Sequence, residues 1–371
     1  MSNVINFLIF VAKWYILYVK FLTNFNYLIN DCKCNAANIL EAVIMEIKKI
    51  GVLTSGGDAP GMNASVRAVV RCGIANGFEM IGVERGYHGL LRKEFVKMDA
   101  SSVSNFIQRG GTVLQTARSK EFPTHEGITK SVANAKEAGI DAMVVIGGDG
   151  SFRGAQKLCE YGLPTIGIPA TIDNDIPCTD YTLGFDTAMN IAMDCVDKLR
   201  DTCTSHERCA IVEVMGRGAG YIALNTGIAT GAEMVLVPEK DINTSKSELI
   251  DRIVKKLEDG KKVGRKHHII IVSEGIGGSY EMAKVVEDRT GVETRATILG
   301  HIQRGGSPTI RDRIVAAQMG MKAVELLKQG KSNRVVVMKA DRIEDVDINE
   351  GLAMTKTISE DDYVLADMLS R

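Results

Sequence analysis

Two carboxylates and a hydroxyl stand close together in one short segment of the sequence. Residues 171–175 read TIDND and follow an apolar run at 165–168 that is typical of a buried strand. In an extended segment, side chains two residues apart point to the same side, so we expect Thr171, Asp173 and Asp175 to converge. Such a set suits a general base, an electrostatic partner and a hydrogen-bond donor. A solvated turn is the alternative when this segment is taken alone.

Two glycine-rich segments have the composition of phosphate-binding turns. Residues 55–63 read SGGDAPGMN and residues 147–151 read GGDGS, and each follows an apolar run and precedes a helical pattern. Glycine lets backbone N–H groups approach a phosphate closely, and a helix N-terminus adds favourable dipole charge. Neither is a P-loop, because GxxxxGK[ST] does not occur in the sequence. A plain turn, or a helix N-cap at Asp149, is the alternative for each segment alone.

Asp149 requires a cation if a phosphate binds beside it. Its carboxylate would repel a bare pyrophosphate, whereas Mg²⁺ bound by one or two carboxylates and phosphate oxygens removes the conflict. Residues 148–154 partly mimic a dinucleotide fingerprint, although their GxGxxxG spacing is one residue too long. An NAD-dependent oxidoreductase is therefore the rival from another class, with Asp173 near the place of its ribose-binding acid. The TIDND context favours phosphoryl transfer, which depends on positioning and charge neutralisation.

Local clusters of basic residues must hold any anionic ligand, because the chain as a whole is nearly neutral. Its formal net charge is −1, which gives no global attraction to nucleic acid or to an anionic membrane. Two further glycine-rich segments carry basic residues, MGRGAG at 215–220 and GHIQRGGSP at 300–308. Arginine binds phosphate through two parallel hydrogen bonds. The candidates are Arg118, Arg208, Arg217, Arg295, His301 and Arg304, each of which taken singly also fits a surface or structural role.

An α/β framework must position these segments. Strands are predicted at 49–54, 142–146, 165–168, 209–214, 233–237, 268–273 and 295–299. Helices are predicted at 62–76, 127–138, 151–161, 186–203, 245–258, 280–289 and 311–329. The strands are continuous apolar runs, which favours a parallel sheet covered on both faces in a doubly wound architecture. Ligands bind at the carboxyl ends of such strands, where the glycine-rich segments fall.

The first 44 residues differ in composition from the rest. They hold Trp14, the single tryptophan, and an apolar run at 4–22 that is interrupted by Lys13 and Lys20. This run falls short of a membrane span, and a signal peptide would need a basic n-region and a small-residue cleavage site. We interpret residues 1–44 as a non-native or disordered N-terminal extension, with a natural start at Met45.

The cysteines predict a reducing compartment. The chain has eight cysteines, and none forms a CxxC pair or has a histidine nearby at zinc-ligand spacing. Reduced thiols of a cytoplasmic protein are the expected state.

Together these five segments resemble the bacterial-type ATP-dependent 6-phosphofructokinase family. The resemblance runs from about residue 47 to about residue 331 and weakens after it. It implies the phosphofructokinase fold, with two doubly wound, Rossmann-like domains and mostly parallel sheets. Residues 45–184 with about 303–355 would form the ATP-binding domain, and residues 185–302 with about 356–371 the fructose 6-phosphate-binding domain. The implied protein is an allosterically regulated, cytoplasmic homotetramer that converts fructose 6-phosphate to fructose 1,6-bisphosphate in glycolysis.

The resemblance also implies the residues of the active site. The ATP-binding set is Gly57, Tyr87, Arg118, Ser119, Gly148, Asp149, Gly150, Ser151 and Gly154, with Asp149 holding Mg²⁺. The catalytic set is Asp173 as the base, Asp175 as its support, Thr171 and Arg217 as stabilisers of the transferring phosphoryl group, and Gly57. The fructose 6-phosphate set is Thr171, Asp173, Arg208, Met215, Gly216, Arg217, Glu274, Arg295, His301 and Arg304. Arg208 and Arg295 would reach the substrate of a neighbouring subunit.

An effector site between subunits is implied as well, where ADP activates and phosphoenolpyruvate inhibits. The matching positions are Arg67, Arg71, Arg200, Glu233 and Arg265, with Lys266 adjacent. Ala100 and Val263 stand where the family often has basic residues. The sign and strength of the effector responses are therefore not predicted.

Two positions bear on the phosphoryl donor. In related pyrophosphate-using enzymes the position of Gly150 is typically Asp and that of Ala170 typically Lys. An aspartate at 150 would repel the α-phosphate of a nucleotide, whereas glycine leaves room for it. ATP is the predicted donor, with a pyrophosphate-dependent phosphofructokinase as the alternative. A catalytically silent homologue is disfavoured, because each catalytic position holds a competent residue type.

Overall fold

Strands and helices alternate along the chain in this computed structural model, which describes residues 47–370. Residues 1–44, which we interpret as an N-terminal extension, lie outside the described residues. The strands are β1 (Lys49–Ser55), β2 (Glu79–Val83), β3 (Phe95–Met98), β4 (Ala142–Gly147), β5 (Thr165–Pro169), β6 (Cys209–Val214), β7 (Met234–Leu236), β8 (His268–Ser273), β9 (Thr294–Ile298), β10 (Arg334–Lys339) and β11 (Arg342–Asp347).

The helices fill the connections between these strands. They are α1 (Met62–Ala75), α2 (Gly86–Arg92), α3 (His125–Glu137), α4 (Asp149–Glu160), α5 (Phe185–His206), α6 (Tyr221–Thr230), α7 (Pro238–Asp241), α8 (Lys246–Lys262), α9 (Ser279–Thr290), α10 (Ile310–Lys328), α11 (Ile348–Ala353) and α12 (Glu360–Leu369). A 3₁₀ helix, η1, spans Gly300–Arg304.

Within residues 47–370 the strands form two separate sheets. The first has seven strands in the order β11-β10-β5-β4-β1-β2-β3, and the second has four in the order β7-β8-β6-β9. The second sheet is parallel throughout. In the first, β3 and β11 are antiparallel to their neighbours and lie at the two edges. The predicted α/β architecture with mostly parallel sheets is therefore confirmed.

Alternate residues of the central strands face opposite sides of the first sheet. On β4, Ala142, Val144 and Ile146 belong to one buried cluster, whereas Met143 and Val145 belong to another. Helices α1 and α10 contribute to the first cluster, and helices α3 and α4 contribute to the second. Burial on both faces explains why the sequence of β4 is continuously apolar.

The predicted elements agree with the structure in type, and their bounds differ by a few residues. Four strands, β2, β3, β10 and β11, were not predicted. Strand β3 reads FVKM and β11 reads RIEDVD, and both are partly exposed. At these two edges the strands bury little of their surface, so their sequences lack the continuous apolar run of a central strand such as β4. Among residues 47–370, no helix is both long and apolar enough to cross a membrane.

Candidate active site

Residues 171–175 follow β5 at its carboxyl end and form a tight turn. Thr171 and Asp173 are buried, and the backbone N–H of Asp173 donates a hydrogen bond to Thr171 Oγ1 at 3.2 Å. Asn174 adopts a left-handed conformation with φ of 51°. The predicted extended geometry is therefore wrong, because the chain bends within this segment. The two aspartates still lie close enough for the charge of Asp175 to raise the pKa of Asp173.

Asp173 has the protonation properties of a general base. Burial raises the pKa of its carboxyl to about 6, and the nearby charges of Asp175 and Glu274 act in the same direction. The positive charge of Arg304 and a hydrogen bond from Thr171 oppose the rise. A carboxylate with a pKa near neutrality is ionised at pH 7 and still has a high proton affinity.

Asp175, in the TIDND segment, lies close to charged residues of two other predicted motifs. Burial raises the pKa of its carboxyl, and the negative charge of Asp149 adds to the rise. The positive charges of Arg217 and Lys356 lower it. Because these effects require proximity, the GGDGS, TIDND and MGRGAG segments lie near one another.

The SGGDAPGMN segment meets the same site through Arg304. The guanidinium of Arg304 donates to the backbone oxygen of Asp58 at 3.1 Å. A Cβ atom on Gly57 would lie 2.6 Å from Arg304 Nη1, so the absence of a side chain at 57 makes room for the guanidinium. Arg304 thus lies between the glycine-rich turn and the carboxylate of Asp173.

The GGDGS segment opens helix α4, and its residues divide into two groups. Gly148, Asp149 and Gly150 are at least partly exposed, and among residues 47–370 a Cβ atom on Gly150 would have no neighbour within 4 Å outside the adjacent residues and its own helix backbone. The Asp149 carboxylate accepts a hydrogen bond from Arg153 Nε at 3.1 Å. Ser151 is buried, with its backbone oxygen turned to the interior. Residues 148–150 are therefore the part of the turn that a ligand can reach.

Tyr87 and Gly154 support helix α4 from the inside. Tyr87 is buried, stacks on Phe122 and donates its hydroxyl to the backbone oxygen of Ser151 at 2.5 Å. A Cβ atom on Gly154 would lie 2.5 Å from the Tyr87 ring. Both residues therefore hold the helix in place, and a direct contact of either with ATP stays a prediction. Arg118 is exposed, and Ser119 accepts a hydrogen bond from the backbone of Phe122.

The MGRGAG loop is shaped by one carboxylate. Glu274 Oε1 accepts hydrogen bonds from the backbone N–H of Gly216 at 3.2 Å and of Arg217 at 2.5 Å. Both residues have positive φ, 150° and 57°. Met215 is held in turn by Gln303, whose Oε1 accepts its N–H at 2.8 Å. This arrangement leaves the side chain of Arg217 exposed beside Asp175.

Arg208 and Arg295 form a pair bridged by a carboxylate. Glu293 accepts a hydrogen bond from Arg208 Nε at 2.7 Å and from Arg295 Nη2 at 2.8 Å. Arg295 lies on the edge strand β9, with 65% of its side chain exposed. His301 is also exposed, on η1. Whether the two arginines reach another subunit stays a prediction.

The predicted effector residues lie in two places. Arg67 and Arg71 are on helix α1, where Arg71 donates to the backbone oxygen of Ala100 at 3.2 Å. The carboxylate of Glu233 is buried and pairs with Arg265 at 3.4 Å and His268 at 2.5 Å. The remaining two make other contacts, Arg200 to the backbone oxygen of Thr230 and Lys266 to Glu207 at 2.9 Å. An effector role for these residues stays a prediction.

Three residues that organise the site were missed by sequence reasoning. Asp312 is fully buried and accepts hydrogen bonds from Tyr181, Gly184 and Thr187, which joins α10 to the start of α5. Gln303 and Lys356 hold the loops that carry Met215 and Asp173. Gln303 lies inside the glycine-rich segment 300–308, whereas Asp312 and Lys356 had no signal in the sequence, since their partners are distant along the chain.

Comparisons with known proteins identify the family. The family profile described as Phosphofructokinase matches residues 49–327, and this chain belongs to that family. A curated protein of Clostridium botulinum named ATP-dependent 6-phosphofructokinase is 54% identical over 325 residues, which are 88% of this chain and 100% of the relative. The protein of that name from Alkaliphilus metalliredigens is 52% identical over 324 residues, 87% of this chain and 100% of the relative. The resemblance stated from the motifs is thereby confirmed.

Solved structures agree on the fold. The structure of phosphofructokinase from Saccharomyces cerevisiae matches with a TM-score of 0.77 and 35% identity, covering 87% of this chain. The match covers 48% of the yeast chain, so this chain spans about half the length of that protein. The phosphofructokinase fold predicted from the sequence is therefore confirmed.

Proposed function

We propose that this protein transfers the γ-phosphoryl group of ATP to O1 of fructose 6-phosphate and so produces fructose 1,6-bisphosphate and ADP. The observation that carries the proposal is the buried carboxylate of Asp173, whose pKa is raised to about 6 at the carboxyl end of β5. Arg304 and the two glycine-rich turns lie around it. The bacterial relatives named above have the same activity in their names.

The chain's own residues account for the chemistry of the transfer. The oxygen of the sugar hydroxyl attacks the γ-phosphorus while Asp173 takes the proton from that hydroxyl. A new O–P bond forms, the bond between the γ-phosphorus and the bridging oxygen breaks, and ADP leaves with the electron pair. Thr171 and Arg217 stabilise the charge on the transferring group, and Arg304 helps to hold the sugar phosphate.

A divalent cation fits the carboxylates at this site. The charge of Asp149 acts on Asp175, so two carboxylates lie near the exposed start of α4. Mg²⁺ binds through one or two carboxylates and substrate phosphates, so a larger cluster of protein ligands is not needed. Asp149 would hold the Mg²⁺ that neutralises the phosphates of ATP.

The structure around position 150 supports ATP over pyrophosphate as the donor. The space beside Gly150 is open, so the turn can accept the α-phosphate of a nucleotide. Ala170 is 1% exposed and its N–H is bonded to the backbone oxygen of Gly147, an environment suited to a small apolar residue. A lysine at 170 would have to bury its charge there.

The assembly and regulation are part of the proposal. Glu293 bridges Arg208 and Arg295, and the mostly exposed guanidinium of Arg295 is suited to the phosphate of a substrate bound by another subunit of a homotetramer. The two sheets support the division into an ATP-binding and a fructose 6-phosphate-binding domain, since the second is built from residues 209–298. ADP and phosphoenolpyruvate are the proposed effectors, and the cytoplasm is the proposed location.

A coupled assay of the purified protein tests this function. Fructose 6-phosphate is supplied with either ATP or pyrophosphate, in the presence and absence of a chelator of divalent cations. We expect turnover with ATP that is lost on chelation. Turnover with pyrophosphate alone would establish the alternative donor, and turnover with neither would refute the proposed function. Activity that survives chelation would contradict the role of Mg²⁺.

A further inference from the structure

Lys356 connects the C-terminal segment to the turn that carries Asp173. It lies between α11 and α12, outside the motifs that the sequence reveals. Its ammonium nitrogen donates hydrogen bonds to the backbone oxygen of Asn174 at 2.8 Å and to that of Thr179 at 2.9 Å. It also lies 4.8 Å from the centre of the Tyr221 ring. One side chain thus contacts both ends of the loop 174–179 and a helix of the second sheet's domain.

The loop that Lys356 contacts has an uncommon conformation. Asn174 lies in the left-handed region with φ of 51°, which non-glycine residues adopt at a cost. Its side chain donates to the backbone oxygen of Asp180 at 3.2 Å and accepts from Thr182 at 3.3 Å. Asn174 thus has hydrogen bonds with Asp180, Thr182 and Lys356, and the one from Lys356 is the one made by a charged group. Because Asn174 joins Asp173 to Asp175, the position of this residue sets the direction of both carboxylates.

Opposite charges surround Lys356. The carboxylates of Asp180 and Asp175 and the thiol of Cys178 face it, together with the Tyr221 ring. Burial lowers the pKa of Lys356 to about 8 despite these carboxylates. The side chain is therefore largely protonated at neutral pH and contributes a positive charge that lowers the pKa of Asp175.

We propose that Lys356 is a positioning residue for phosphoryl transfer, which fixes the Asp173 turn by binding the carbonyl oxygens of Asn174 and Thr179. This inference rests on the proposed function. Lysine provides three donors and a charge, and methionine has a side chain of similar length with neither. Loss of the ammonium group would let the turn move, so the chemical step suffers more than substrate binding does.

A second lysine offers a matched control. Lys240 on α7 also lies over an aromatic ring, 5.4 Å from the centre of Tyr363, and pairs with Glu360 on α12. It contacts the same C-terminal region as Lys356, yet its partners Tyr363 and Glu360 both lie on α12 and not in the Asp173 turn. Lys240→Met therefore reports a loss of C-terminal packing alone.

The experiment compares Lys356→Met, Lys356→Arg and Lys240→Met with the wild type, each as the full chain. Turnover of fructose 6-phosphate with ATP by the wild type is measured first. Absence of that turnover would refute the proposed function, whereas failure of the present inference is seen only in the variants. Circular dichroism and thermal unfolding establish whether each variant is folded.

We expect Lys356→Met to lower kcat by about ten- to a hundredfold, because a displacement of about 1 Å in a reacting group has a cost of that size. The KM values for both substrates should change less than about threefold. Lys240→Met should keep kcat within about twofold of the wild type. The wild-type kcat should decline above about pH 8 as Lys356 loses its proton, and Lys356→Arg, with a permanent charge, should extend the plateau to higher pH.

Two results with the methionine variants would overturn the inference. One is a folded Lys356→Met protein with kcat within about twofold of the wild type, and the other is an equal loss of kcat in Lys240→Met. If Lys356→Met does not fold, Lys356→Arg decides the question. In Lys356→Arg, a decline in kcat above pH 8 that parallels the decline of the wild type would overturn the inference. A plateau of kcat that extends to higher pH in this variant would support it.

Discussion

Gly57 and Arg304 are separated by most of the chain, yet the guanidinium of Arg304 occupies the space where a side chain at 57 would begin. A Cβ atom on Gly57 would lie 2.6 Å from Arg304 Nη1. The glycine has no left-handed backbone angle, so the close approach and not the backbone conformation requires it. The first and last motifs of the active site are thus fitted to each other.

Gly57→Ala should therefore impair the site through Arg304. The methyl group pushes aside the end of a flexible side chain, which changes stability little but removes Arg304 from its bond to Asp58. We expect the KM for fructose 6-phosphate to rise about tenfold, because a displaced Arg304 would lose about one charged hydrogen bond to the sugar phosphate. Steady-state kinetics of Gly57→Ala, Arg304→Ala and the double variant check this, and the two changes should be strongly non-additive. Fully additive effects would show that Gly57 acts independently of Arg304.

Asp173→Asn should separate activity from stability. The amide cannot accept the sugar proton, so we expect kcat to fall by at least about 10²-fold with a small change in KM. The same substitution removes a buried charge next to Asp175 and Glu274. Raising the pKa from 3.8 to about 6 corresponds to roughly 3 kcal/mol, so the variant should gain about 1–3 kcal/mol in unfolding free energy at pH 7.

Denaturant unfolding and initial-rate kinetics on the same preparation check both halves of this expectation. The gain in stability should vanish as the pH falls below about 4, since the wild-type carboxyl is then protonated in both the folded and the unfolded state. A variant with near-normal kcat would remove Asp173 from the role of base. A variant that is less stable at every pH would show that the carboxylate is compensated by its surroundings.

The pH dependence of kcat should follow the carboxyl of Asp173. A base must be ionised, so kcat should fall about tenfold per pH unit below about pH 6. Asp175→Asn should shift this fall in kcat, the acidic limb of the pH profile, to lower pH, because the charge of Asp175 raises the pKa of Asp173. Profiles of kcat from pH 5 to 9 provide the measurement, and the residual activity of Asp173→Asn should lack the acidic limb. A limb that stays unchanged in Asp173→Asn would belong to another group.

Arg295→Ser and Glu293→Gln should both weaken fructose 6-phosphate binding. Loss of the guanidinium should raise the KM for the sugar phosphate about tenfold or more and reduce cooperativity. Glu293→Gln leaves the arginines present but poorly aligned, so its effect should be smaller, about threefold. Arg289→Ser is the matched control, because Arg289 is an exposed arginine paired with Asp251 at 2.6 Å. Sugar saturation curves identical to the wild type would exclude Arg295 and Glu293 from the site.

Gly150→Asp should act through charge alone. Apart from its chain neighbours and the backbone of its own helix, no atom of residues 47–370 lies within 4 Å of a Cβ at this position, so the fold should tolerate the substitution. Repulsion of the nucleotide phosphates should raise the KM for ATP at least about tenfold. Gly150→Asn has the same shape without the charge and should retain most of the affinity. Equal losses in the two variants would indicate a steric cause.

The sequence predicted the parts of this protein whose signals are local. Runs rich in apolar residues identified β1 and β4 to β9, and glycine-rich turns identified the places where α4 and the loop at Arg217 begin. The edge strands β3 and β11 were missed because half-exposed strands lack such runs. Lys356 and Asp312 were missed for a different reason, since their role depends on backbone groups far away in sequence. The bend at Asn174 also required the structure, because alternation predicts only extended chain.

A crystal structure with fructose 6-phosphate and a non-hydrolysable ATP analogue would test the central claim most directly, through the distance from the Asp173 carboxylate to O1 of the sugar. We predict a hydrogen bond of about 2.6–3.2 Å between them. A separation of more than about 6 Å, with another group bonded to O1, would contradict the assignment of Asp173 as the base.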